Sequence, residues 1–246
     1  ASENEAVRRI ASRIVADISF NRYVSAFDKL DNHTREVAGK AVLDLDHEVI
    51  HKLAAELQAI DPAKRLKAVR IIEATGSAVQ VQDAVLALVN DPDKKVRATI
   101  INLLAAMKNT HAIKALVRLL SDKDTRVQAN VLEALEEINR PEFRQLIVPF
   151  LKSPNNRVRA NACHALWHLG VHKVARFMFE MLESANSKMR LSGAWVIGET
   201  KPEDGVKALT DALAKESVLE IKTAIRRAIK RFDEAAGAIE SEGGEG

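Results

Sequence analysis

The chain has 246 residues, 37 of them basic and 34 acidic for a net charge of +3, and 4% are aromatic. So even a balance does not call for a nucleic-acid partner, the lone cysteine, Cys163, rules out an internal disulfide framework, and no apolar run reaches the roughly 18 residues of a membrane span. Ala, Leu, Val, Ile, Glu, Lys and Arg dominate, the composition of an all-α protein; the polar start Ala1–Glu5 does not read as a signal peptide, and a reducing, cytoplasmic setting is expected.

Residues 5–30 hold two short helical patterns, one from Ala6 to Ile10 onward and one from Asn21 to Val24 onward. A loose repeat runs from Asp31 to Ile60. The next opens at Asp61-Pro62, where Pro suits a first helical turn, and its first helix should stop at Thr75-Gly76. From Asp91 the chain becomes regular, with repeats at 91–121, 122–152, 153–183 and 184–214. Val96-Arg97, Val127-Gln128, Val158-Arg159 and Met189-Arg190 mark them at intervals of 31 residues, and a fixed period of this size means stacked helical hairpins. A single solenoid is therefore expected over 1–234, degenerate over 1–90, regular over 91–214 and capped by 215–234. The acidic, Gly-rich 235–246 is expected to be disordered.

Each repeat reads as a helix A, a turn and a helix B. Counted from the first residue of the marker pair, positions 0, 4, 7, 8 and 11 form one helical stripe, such as Val96, Ile100, Leu103, Leu104 and Met107. Leu116, Leu119 and Leu120 supply the matching face of helix B. Asp93, Asp124, Asn155 and Asn186 stand three residues before each marker, where a helix needs a side-chain acceptor. The marker's second residue, Arg97, Gln128, Arg159 or Arg190, is placed to reach a neighbouring turn, which makes an inter-repeat ladder.

The pattern Asp-x-x-x-x-Val-Arg-x-x-Ala followed by Ala-Leu resembles the HEAT repeat, and Asn156–Gly170 resembles its phycobilisome-lyase-like subgroup. The resemblance covers 91–214 well and 31–90 loosely. It implies a right-handed α-α superhelix of seven to eight hairpins and a non-enzymatic scaffold for a protein partner, with no cofactor. A bilin lyase-like subunit and a nucleic-acid-binding HEAT-like protein are the alternatives.

Several constellations invite chemistry. His47-Glu48-Val49-Ile50-His51 has the spacing of a zinc protease helix but lacks a recognisable third ligand and a neighbouring sheet. His164 and His168 share a helix face, which reads as solvated, so no metal site is expected. Cys163 points toward a neighbouring repeat and lacks a readable base. Trp167 and Trp195, at positions 9 and 6 of adjacent repeats, should stand on the outer side of helix A beside His164 and His168, and tryptophan is enriched where partners bind. If not, each ring covers a neighbouring helix or fills a gap left by a small residue such as Gly198. The second candidate surface is helix B, where Lys114, Arg176 and Lys207 form a basic row interrupted by Glu142, Glu180, Asp204 and Asp211. The basic face of the last helix, Lys222 to Arg231, suits the polar outside of a terminal repeat.

Overall fold

The computed structural model describes residues 18–45 and 48–242, with side chains through residue 234. Every regular element among them is a helix. The fold divides at Leu119 and Leu120 into two compact units. The first holds α1 (residues 18–26), α2 (Asn32–Leu45), α3 (Glu48–Glu56), α4 (Pro62–Thr75), α5 (Gln82–Ala87), α6 (Lys94–Met107) and α7 (Thr110–Leu119). The second holds α8 (Thr125–Ile138), α9 (Phe143–Ile147), α10 (Asn156–His168), α11 (Ala175–Leu182), α12 (Ser187–Thr200), α13 (Gly205–Lys215) and α14 (Leu219–Glu242). The even-numbered helices from α2 to α12 are the A helices of six pairs, and the odd-numbered ones from α3 to α13 are their B helices. The earlier helical pattern at Ala6–Ile10 lies outside the described residues. At the other end the backbone stays helical to Glu242, well into the stretch whose composition reads as a disordered tail.

Helix starts follow from their caps. Asp61, Asp93, Asp124, Asn155 and Asn186 each accept a hydrogen bond from the backbone N–H two residues on, which satisfies one of the free donors of a first turn. A second layer of caps precedes them. Asp91, Asp122, Ser153 and Ser184 accept from the N–H of Asp93, Asp124, Asn155 and Asn186, so each turn is tied twice before its helix begins. Helix ends use the left-handed conformation at Gly76, Lys108, Asn139 and Lys201.

Packing completes the repeat. Within the first unit α2, α4 and α6 lie side by side, and within the second α8, α10, α12 and α14 do the same, with α11 against α12 and α13 against α14. The stripe positions are buried within each unit: Val96, Ile100 and Leu104 in the first, and Val127, Val131, Leu135, Val158, Ala162, Leu166 and Met189 in the second. Phe150 is only half-buried. Pro149 lacks the N–H that would continue α9, and Val148–Lys152 winds on as a 3-10 helix, which turns Phe150 off the stripe.

The marker side chains close on the turn that opens their own repeat, and the links from one repeat to the next are made by the carboxylates that Arg65 and Arg190 also hold. Arg97 donates to the carbonyls of Asp91 and Pro92, Gln128 to that of Asp122, and Arg190 to those of Ser184 and Ala185. Arg65 does the same with Ala59 and Ile60 and also grips the buried Asp91 carboxylate through two bonds of 2.7 and 2.8 Å. Arg190 likewise grips Glu216 at 2.7 and 3.1 Å. Arg159 breaks the pattern. It turns to Glu180 at 2.7 Å, and its Nε is buried without a partner.

Candidate functional site

One face of the A helices in the second unit gathers polar and aromatic side chains from three successive repeats. Glu133 and Glu136 sit one turn apart on α8 and face α10. Glu133 accepts from Asn161 at 2.7 Å and from Arg157 at 3.0 Å. Glu136 Oε2 lies 2.8 Å from His164 Nδ1, and its Oε1 lies 3.8 Å from His168 Nε2. The two imidazoles lie one turn apart with centroids 4.6 Å apart and their planes tilted by 58°. On the next repeat Trp195 covers His164, at 5.3 Å between ring centroids and a tilt of 31°.

The two tryptophans therefore keep different company. Trp195 belongs with His164, His168 and Glu136. Trp167 is half-buried and meets the ring of His172 edge-on at 4.5 Å, over the turn that follows α10. Neither ring fills the gap at Gly198. That space is taken by Ala228 of α14, whose Cα and Cβ would lie 2.9 Å from an added Cβ. The helical wheel gives the direction of a position but not how closely the next helix approaches. Ala105 and Gly198, which share position 9 with Trp167, are buried for that reason.

Beside Trp195 a groove of about 520 Å3 runs between α10, α12 and α14, with Asn156, Arg157, Leu191 and Arg227 among its walls. Arg231, also on its rim, pairs with Glu199. Asn156 donates to Ser192 at 2.7 Å across the groove floor.

The helix-B surface is less coherent. Lys114 is exposed on α7 in the first unit, while Arg176 on α11 and Lys207 on α13 are exposed in the second. Arg176 lies with its guanidinium 4.7 Å over the ring of its neighbour Phe177. Lys207 lines a cleft of about 730 Å3 together with Asp204, Asp211, Arg190, Lys215 and Glu216. Positive and negative groups alternate there, so the surface suits a partner of mixed charge.

The remaining chemical motifs find little support. Val49 and Leu53 bury one side of α3 and His51 is exposed on the other, as for a surface stripe; His47 lies outside the described residues. Cys163 is fully buried, and burial pushes its thiol up to about 12, far from a reactive thiolate. The residue that sequence reasoning missed is Glu136. It sits 28 positions before His164, and the same step joins Asn161 to Glu133, so the inter-repeat spacing would have found it.

A family model described as HEAT repeats matches residues 50–136, 81–156 and 144–230. Among solved structures, the Escherichia coli protein YibA is similar at 21% identity and a TM-score of 0.55, over 91% of this chain and 85% of that one. The complex of CpcE and CpcF of phycocyanin lyase from Nostoc sp. PCC7120 is similar at 18% identity and a TM-score of 0.47, over 85% and 92% of the two chains. A designed armadillo repeat protein in complex with the peptide (KR)4 matches at 16% identity and a TM-score of 0.44, over 74% and 98%. No curated protein sequence matches the chain.

Proposed function

Because the chain belongs to the HEAT-repeat family, we propose that it is a non-enzymatic interaction scaffold that holds a segment of a partner protein against the outer flank of its second unit. Trp195 carries this reading. It is 39% exposed, its ring is backed by His164, and it borders the groove that Leu191 makes apolar and where Arg227 adds positive charge, Arg157 being paired with Glu133. A segment that fits has an apolar anchor for the indole and a carboxylate for Arg227. Burying an exposed tryptophan contributes more to binding than most surface residues can. The exposed basic residues of helix B in the second unit, Arg176 and Lys207, are the competing surface. The cytoplasm is taken as the setting, in keeping with one free and buried cysteine; no helix among the described residues is long and apolar enough to cross a membrane.

The test is selection of displayed peptides on the full chain, followed by titration calorimetry. Trp195→Ala should weaken the selected peptides by about 2 kcal/mol, the size of an interface hot spot, and Arg227→Glu should weaken the acidic ones. Arg176→Glu with Lys207→Glu should leave them unchanged. The reverse pattern would move the site to helix B. Salt-sensitive retention on heparin would favour nucleic acid, and an absorbance change on mixing with bilins would favour the lyase-like alternative.

A further inference from the structure

We propose that Glu136, His164 and His168 form a binding site for a divalent transition ion of the zinc class. One ligand atom from each residue lies within 4.8 Å of the other two. Tetrahedral zinc, with bonds of about 2.0–2.2 Å, holds its ligand atoms about 3.4 Å apart. Glu136 presents Oε2 to His164 at 2.8 Å and Oε1 to His168 at 3.8 Å, so one carboxylate already faces both imidazoles at distances near that spacing. Small rotations about side-chain bonds supply the remaining closure, chiefly at His168, whose side chain is 50% exposed.

Three features set this group apart from an ordinary surface ion pair. First, one carboxylate faces two imidazoles, yet it is within hydrogen-bond distance only of His164. An ion shared by all three would give each a partner. Second, the ligands rise from two helices, α8 and α10, whose backbones are fixed by the buried seam, so the site is built on rigid elements. Third, the site is walled on one side and open on another. The side chains of Glu136 and His164 are 19% and 21% exposed, and the Trp195 ring covers His164. Entry is from the His168 side.

The donor set selects the ion. Two imidazoles and one carboxylate suit zinc, copper, nickel or cobalt, whereas magnesium and calcium prefer an all-oxygen shell. Three protein ligands leave a fourth position for water. Because the ligands come from successive repeats, a bound ion would staple α8 to α10 and stabilise the folded chain over the unfolded one. This site does not depend on the partner reading, because it is measured on the purified chain alone.

The experiment is zinc titration of the untagged full chain by calorimetry and by competition with a chromophoric chelator. In parallel, copper quenching of Trp195 fluorescence is measured in a Trp167→Phe background. The expected result is one zinc per chain, copper quenching of Trp195, and no competition from excess magnesium. His164→Gln, His168→Gln and Glu136→Gln should each weaken zinc by about tenfold or more, while His172→Gln should not. Circular dichroism checks that each variant is folded. His168→Gln decides the matter if the more buried variants are not, since its side chain reaches solvent. Absence of zinc binding tighter than millimolar, or affinity unmoved by His168→Gln, would overturn the proposal.

Discussion

Glu216 is the side chain whose surroundings perturb it most usefully. The guanidinium of Arg190 grips it first, the N–H of Val218 and that of Ser217 add to the hold, and its carboxyl is pulled down to about 2 from 4.5. A carboxyl depressed on folding stabilises the native state at pH values above its unfolded value. That contribution fades as pH falls from about 4.5 through about 2. Glu216→Gln should therefore destabilise the chain at pH 7 and lose most of its effect near pH 2, which thermal unfolding across that range will read. At this scale the sequence was legible where the partner is close in the chain. The N-cap acceptors Asp93, Asp124, Asn155 and Asn186 follow from residue type and position alone. That a marker arginine reaches a neighbouring turn follows too, but which carboxylate it meets does not, since Asp91 and Glu216 lie 26 residues beyond Arg65 and Arg190.

At the scale of helices, α12 and α14 approach closely at Gly198. A Cβ there would meet the backbone of Ala228 at 2.9 Å, and a backbone cannot step aside as a flexible side chain can. Gly198→Ala should destabilise the chain by about 1–3 kcal/mol despite the better helix propensity of alanine, measurable by urea denaturation. The stripe of each A helix was readable from its period, because burial at those positions repeats with it. What was not readable was the tilt of neighbouring helices. The wheel therefore grouped Trp167 with Trp195, and the packing assigns one to His172 and the other to His164.

For the molecule as a whole, the two units imply that damage is local. Leu135 is fully buried in α8, in the second unit. Leu135→Ala should remove about 2–5 kcal/mol of stability. Hydrogen exchange should show the protection lost mainly in α8 to α12, with α2 and α4 little changed, as expected where each repeat leans on its neighbours. The fold class was legible in the 31-residue period. The division at Leu119 and Leu120 was not, since the marker pairs continue through it without a change of spacing.

The clamps of Arg97, Gln128 and Arg190 close on peptide oxygens and ignore the side chains those peptides carry. Such a latch recognises the course of the main chain and is blind to its spelling. Turn positions that contribute a carbonyl to it and no side-chain cap, such as Pro92 and Ala185, can change without unfastening it, which frees them to acquire new specificity while the scaffold beneath stays shut.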